Sequence, residues 1–281
     1  MRAILNFEHQ CTLKCDWCYV PFVRDRPDFS VTQRVLARLL EHGITEITIG
    51  GGDPTSYHEW RDLAASAKMA GLFVHLDTNG IGLRRSASVK DALRSYVDLL
   101  GLPIDGPDAS IHGLVRGQPR HFDIVIDRMS WLGELGLDIK INTVVTKVNA
   151  STLLQTAELV RSLAPTIWSV YEYWPLSFGG TNREQWDDPA GSLTFALARL
   201  PRELGKTRVE INRRHVRRLT YPIVAHDGEV YIHSASDIDR FQPLGSIFDD
   251  GVLSRAFSSC TDEREEARSR YTRPNDVQEA L

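Results

Sequence analysis

Three of the chain's four cysteines fall within eight residues, Cys11-Thr12-Leu13-Lys14-Cys15-Asp16-Trp17-Cys18, spaced C-x3-C-x2-C directly after an apolar-rich segment. No other stretch narrows the possibilities so far. A disulfide framework spreads an even number of cysteines along a chain. A structural zinc site needs four ligands, with a second pair at a distance. Neither pattern is present. A cubane iron–sulfur cluster on three thiolates fits better, because it leaves one iron open to another ligand.

The chain around this loop alternates strand and helix. Ile4 to Phe7 is strand-like, and the cysteine loop leaves from its C-terminal end. Arg24 to Phe29 reads as loop. Ser30 is the expected cap of a helix over Val31 to His42, with Val35, Leu36, Leu39 and Leu40 on one face and Gly43 as its stop. Ile44 to Ile49 is a β-prone strand running into Gly50-Gly51-Gly52-Asp53-Pro54-Thr55. Helices over Glu59–Ala70, Val89–Tyr96, His121–Leu135 and Ser151–Leu163 then alternate with strands over Leu72–Leu76, Val97–Ile104, Asp138–Val145 and Ile167–Trp174. Six such units predict parallel strands with right-handed crossovers, an α/β partial (β/α)6 TIM-like barrel, with an open doubly wound sheet as second choice. Polar and Gly-bearing segments recur just past the strand C-termini, where such folds place their sites.

Beyond Pro175 the pattern changes. Ser177 to Asp188 reads as loop, Leu193 to Leu204 as a helix interrupted by Pro201, and Val209–Ile211, Tyr221–Val224 and Glu229–Ile232 as strands. The charged tail from Thr261 reads as a solvated helix or fraying end. The expected division is a barrel over residues 1–190 and a small C-terminal extension over 191–281 that binds substrate or peptide.

Composition sets outer limits. With 281 residues, 42% hydrophobic and 25% charged, the chain can bury a full core. A net charge of −4 gives no reason to expect nucleic acid as a partner. No run of about 18 apolar residues appears, so no membrane span is expected. The N-terminus lacks a signal-peptide pattern, and clustered thiols without one point to the cytoplasm.

With the cysteine motif and the barrel pattern together, the chain resembles the radical S-adenosylmethionine (radical SAM) superfamily over roughly residues 3–180. The resemblance implies that Cys11, Cys15 and Cys18 ligate one [4Fe-4S] cluster whose open iron is chelated by S-adenosylmethionine (SAM). One electron then yields methionine and a 5′-deoxyadenosyl radical. It places Trp17 near the adenine. Gly51-Gly52-Asp53-Pro54 matches the family's Gly-Gly-Glu-Pro, which binds the SAM ammonium, with Asp53 one methylene shorter. Thr78-Asn79-Gly80 resembles another family segment, so Asn79 joins the cofactor site. Asp105-Gly106, followed by His112 and Arg116, resembles peptide-modifying members, and Pro103 stands where these often carry a serine. Asp105 is read as a ribose or substrate ligand and Arg116 as the SAM-carboxylate ligand, each with a structural salt bridge as the alternative, and Asn142 as a ribose contact. Glu172-Tyr173-Trp174-Pro175-Leu176 resembles the adenine-side segment.

The phrases Asp227–Ile232 and Leu244–Gly251 resemble the C-terminal extension of peptide-maturing members, where several cysteines normally hold auxiliary clusters. Cys260 alone is left here, so no auxiliary cubane with ordinary ligation can form. Cys260 reads as a packing thiol, or as a hydrogen-atom donor to a substrate radical. The basic run Arg213-Arg214-His215-Val216-Arg217-Arg218 reads as a solvated face, or as a contact for an anionic substrate. The expected function is a radical SAM enzyme acting on a peptide or natural product, with an external flavodoxin- or ferredoxin-type one-electron reductant. A nucleotide or sugar substrate is the alternative. A non-catalytic iron–sulfur electron carrier or redox sensor is the alternative of another class.

Overall fold

The computed structural model describes residues 1–8, 10–20, 28–176, 180–188 and 191–260. The readings placed on 24–27, 177–179, 189–190 and the tail from 261 lie outside these residues. Six strands, β1 (Arg2–Glu8), β2 (Glu46–Gly51), β3 (Phe73–Asp77), β4 (Leu99–Pro103), β5 (Asp138–Val145) and β6 (Ile167–Glu172), lie side by side in chain order, each parallel to its neighbours. Between them run α1 (Phe29–Glu41), α2 (Trp60–Met69), α3 (Ala87–Tyr96), α4 (Ala109–Arg116), α5 (His121–Gly133) and α6 (Leu153–Leu163). The expected α/β partial barrel is what the chain adopts.

The local chemistry explains most of this order. In β2 the β-branched run Ile47-Thr48-Ile49 is buried on both faces, as parallel strands under helices must be. Val35, Leu36 and Leu39 form the buried face of α1, at helical spacing. Its cap is Asp28 rather than Ser30, because Asp28 Oδ1 accepts from both Ser30 N and Ser30 Oγ, at 2.9 and 2.8 Å. Ser151 does not cap α6 either, since a 3-10 turn at Ala150–Thr152 leads into it. The sequence pattern predicted no helix at α4. It is started by Asp108, whose Oδ1 accepts from Ile111 N at 3.0 Å, and ended by Gly117 at φ +67°.

The last third of the chain extends both edges of the same sheet. After α7 (Arg183–Trp186) and α8 (Ser192–Ala198), β7 (Glu203–Leu204) pairs antiparallel with β8 (Thr207–Asn212), which adds parallel to β6. The helix expected over Leu193–Leu204 therefore stops before Pro201, which cannot continue it, and Leu204 is strand. Past α9 (Arg214–Arg217), β9 (Ile223–Ala225) pairs parallel with β1 at the other edge, and β10 (Glu229–His233) and β11 (Phe241–Ser246) follow antiparallel. The order is β11-β10-β9-β1-β2-β3-β4-β5-β6-β8-β7, and among the described residues no ladder joins the two ends. Side chains span the gap instead. Trp174 Nε1 donates to Ile238 O (2.7 Å), Arg183 pairs with Asp239 (2.7 Å), and Arg218 donates to Ser234 O (2.8 Å). The helix α10 (Val252–Ser259) packs on β10 and β11.

Candidate active site

A cavity of about 280 Å³ opens beside the C-terminal ends of the strands. Cys11, Cys15 and Cys18 all line it, together with Trp17 between them. Neighbouring elements hold the loop in place. Cys11 Sγ accepts from Leu13 N and from Asn79 Nδ2, both at 3.4 Å, and Trp17 Nε1 donates to Val115 O on α4 at 2.7 Å. Burial pushes all three thiols up, Cys15 to about 11 and Cys18 to about 12. They are held as thiols until a metal takes the proton's place.

The Gly50-Gly51-Gly52 segment closes against the approach to this loop. Asp53 N donates to Gln10 O at 2.9 Å, and a Cβ on Gly52 would lie 2.2 Å from that oxygen, so only glycine fits. Gly51 and Gly52 face the cavity with their backbone. Asp53 and Pro54 do not line it. Asp53 is fully buried and turns back to cap the 3-10 turn Pro54–Ser56. Its carboxylate accepts from Thr55 Oγ1 (2.9 Å), Thr78 Oγ1 (2.6 Å) and Ser56 Oγ (3.2 Å). Burial raises its pKa against those bonds. The residue expected at the ligand thus shapes the loop that carries the glycines.

Asp105 is likewise fully buried and off the wall. It pairs with Arg116 Nε at 2.5 Å and accepts from Val144 N at 2.7 Å. Burial disfavours the Arg116 charge, but Asp105 outweighs it and holds the guanidinium charged. Arg116 itself lines the cavity, 4.8 Å over the Trp17 ring. Behind the pair runs a relay that the sequence did not reveal. Asp105 N donates to His112 Nδ1 (3.0 Å), so neutral His112 carries its proton on Nε2 and donates it to His121 Nδ1 (2.8 Å). His121 Nε2 then donates to Asn79 O (2.8 Å). Burial, with Arg116 nearby, lowers His112 to about 2 and His121 to about 4, so both stay neutral. His121 sits at the start of α5, and only the packing of α4 on α5 brings it to His112.

Across the floor, Asn142 Nδ2 donates to Asp77 Oδ1 at 2.7 Å, and Asp77 also meets His75 Nε2 at 3.1 Å. Burial would raise Asp77, yet His75 and Lys140 override it and hold its carboxyl well below the usual carboxylate range. Gly101 on β4 makes this crossing possible, since a Cβ there would lie 1.8 Å from Asp77 Oδ1.

The opposite wall comes from β6, α9, β10 and β11. Trp174 stacks on His233 (4.3 Å between centroids, 7° between planes), and Arg217 lies 4.9 Å over Trp174 and 5.1 Å over Tyr171. The solvated reading of the basic run is therefore corrected. Of its six residues only His215 is exposed and the others are half-buried, with Arg217 turned into the cavity wall. Arg214 joins Asp187 in an ion pair and lies 3.6 Å from Glu172, and Arg218 binds the carbonyls of Ser234 and Ala235.

The structure therefore gathers Cys11, Cys15, Cys18, Trp17, Gly51, Gly52, Asn79, Arg116 and Asn142 around one cavity. Asp53, Pro54 and Asp105 stand behind it. Cys260 is elsewhere, at the C-terminal cap of α10, packed against the hydrophobic core.

The radical SAM superfamily model matches residues 5–160, more than half of the chain and all of the segment that builds the cysteine wall. The chain belongs to the radical SAM superfamily. Among curated relatives it is 27% identical over 169 residues to the PqqA peptide cyclase of Rhodopseudomonas palustris, covering 58% of this chain and 44% of that one. It is 28% identical over 180 residues to an S-adenosylmethionine-dependent nucleotide dehydratase of Flammeovirga pacifica, covering 59% and 60%. The chain spans about half the length of the curated relatives it matches. In fold it is similar to Streptococcus suis SuiB bound to precursor peptide SuiA, with a TM-score of 0.72 at 15% identity, over 97% of this chain and 67% of that one.

The family implies a [4Fe-4S] cluster and SAM, and the donor set of this radical SAM chain fits both. Among the described residues no three His, Cys, Asp or Glu side chains converge to hold a single metal ion. That is poor geometry for zinc, whose four ligands meet on one centre. A cubane takes one thiolate per iron, so its ligands stand apart around a common space, as three thiols on one wall do. Asn6 Oδ1 and Asn142 Oδ1 on the same wall are buried without a partner among the described residues, the expected mark of acceptors that await a polar ligand.

Proposed function

We propose that this chain holds one [4Fe-4S] cluster on Cys11, Cys15 and Cys18, binds SAM beside it, and modifies a peptide or peptide-derived natural product. The observation that carries the reading is the convergence of three thiols, two glycine backbones, Asn79, Arg116 and Asn142 on one cavity. When bound, the cluster and SAM supply a 5′-deoxyadenosyl radical, which abstracts hydrogen from an unactivated carbon. The chain's own residues bind and orient. Arg116, kept charged by Asp105, is the partner for the SAM carboxylate. Asn142, anchored through Nδ2 to Asp77, offers Oδ1 to a ribose hydroxyl. Gly51 and Gly52 let the backbone come close to the ammonium. Trp17 stands beside the adenine, and the aromatic wall of Tyr171, Trp174 and Phe241 keeps water from the reacting carbon.

The electron comes from an external donor of the flavodoxin or ferredoxin type, in a reducing compartment such as the cytoplasm. The peptide reading is supported by the PqqA cyclase relative, at 27% identity. A nucleotide substrate is the second reading, favoured by the Flammeovirga relative. Anaerobic reconstitution tests the site. The reconstituted chain should hold about four irons and, once reduced, give an electron paramagnetic resonance signal that changes when SAM is added. A single tightly held zinc, or a cluster whose signal ignores SAM, would overturn it.

A further inference from the structure

Arg217 is a cation in the cavity wall that forms no ion pair with a carboxylate among the described residues. Its Cζ lies 5.1 Å from the centre of the Tyr171 ring and 4.9 Å from that of Trp174, and Nη2 donates to Glu172 O at 3.0 Å. Its Nε is buried with no hydrogen-bond partner among the described residues. Burial pushes its pKa below the ordinary arginine value, although nearby tyrosines and Glu172 work the other way.

Among the described residues the two carboxylates on the cavity wall are both engaged elsewhere. Glu172 Oε2 accepts from Arg214 N at 3.1 Å and Oε1 lies 3.6 Å from Arg214 Nε, while Asp77 is held by His75 and Asn142. Beside Arg217, across Trp174, His233 presents a buried Nδ1 that also lacks a partner among the described residues. A half-buried guanidinium whose buried Nε–H has no partner among the described residues is costly to keep, and aromatic faces offset only part of that cost. The same fork is well matched to an oxyanion.

We infer that Arg217 receives an anionic group of the substrate, a carboxylate or a phosphate, and that His233 lines the same subsite. The inference rests on the proposed function only in calling the ligand substrate. The subsite lies on the wall of β6, α9, β10 and β11, which Tyr19, next to Cys18, meets through the Phe241 ring at 5.8 Å, so it sets where the charged group of the substrate sits relative to the cysteine loop. A substrate without an acidic group leaves Arg217 unpaired and binds more weakly.

The test uses the full chain, reconstituted and saturated with SAM. Thermal unfolding is followed during titration with inorganic pyrophosphate and, separately, N-acetyl-L-glutamate, against sodium chloride at matched ionic strength. One or both oxyanions should raise the wild-type midpoint saturably, beyond the chloride control. Affinity should fall about tenfold or more in Arg217→Met and partly in Arg217→Lys, which keeps the charge but loses the fork. A response to pyrophosphate alone assigns a phosphorylated substrate, to N-acetyl-L-glutamate alone an acidic peptide or carboxylate, and to both a shared oxyanion site. Without ligand, Arg217→Met should melt no lower than wild type, because a buried N–H without a partner has gone. Wild type that responds to neither probe beyond chloride, or an Arg217→Met variant that binds as tightly, overturns the inference. Cluster absorbance and SAM binding on the same samples separate that failure from failure of the proposed function.

Discussion

On the wall built from β1 to β5, polar side chains are tied into the protein through hydrogen-bond networks. Asp77 and Asn142 show this, as do Asp105 with Arg116 and the His112–His121–Asn79 relay. On the wall built from β6, α9 and β10, Arg217 and His233 are positioned largely by ring contacts, and each keeps a buried hydrogen-bonding atom without a partner among the described residues. A pre-satisfied network fixes geometry before a ligand arrives, which suits a cofactor that is always the same. Orphaned atoms among aromatic rings are completed by the ligand, which suits the part of a site that differs between relatives.

This contrast sets the order of expected effects. Replacing Cys11, Cys15 or Cys18 with Ala should abolish the cluster absorbance, whereas Cys260→Ala should leave iron content unchanged; optical spectra after reconstitution decide it. Next comes Arg116→Met, which strands the buried Asp105 carboxylate and should cost about 3–5 kcal/mol of stability in chemical denaturation. Gly101→Ala follows. It pushes a methyl into Asp77 Oδ1 and should cost about 1–3 kcal/mol and weaken SAM binding by calorimetry.

The relay predicts a pH effect of known sign. Both histidines are depressed in the folded state, His112 to about 2 and His121 to about 4, against about 6.5 when unfolded. Below pH 6.5 the unfolded chain takes up protons that the folded chain refuses, so stability falls as pH falls. The loss is about 1.4 kcal/mol per pH unit for each histidine until its folded pKa is reached. His121→Gln should flatten the decline of the melting midpoint between pH 6.5 and 4. The smallest effect belongs to the other wall, where His233→Phe keeps the stack on Trp174 and removes an unpaired nitrogen. A change within about 1 kcal/mol is expected, and a larger loss would show that His233 is held by a network like those of the first wall.

The two walls also differ in how far the sequence revealed them. The cysteine spacing, the glycine loop and the strand–helix alternation are local patterns, and each landed on the cavity or immediately behind it. What escaped depends on tertiary approach. Asp53 stands where the family motif has glutamate, but whether its carboxylate faces a ligand or caps a turn depends on Thr78, which lies on another strand's end. His121 gains meaning only when α5 packs on α4. The arginine run looked solvated because its charge density is high. Its partial burial follows from α9 meeting Glu172, Asp187 and the β10–β11 connection, partners contributed from before and after it in the chain.

The central claim, that three thiols and one wall of polar networks make a SAM-cleaving site, is tested most directly by product analysis. The reconstituted chain, reduced anaerobically with dithionite in the presence of SAM, should yield 5′-deoxyadenosine and methionine in equal amounts. The Cys15→Ala variant should yield none. Intact SAM after reduction of a fully loaded cluster, or equal product from the Cys15→Ala variant, would contradict the account.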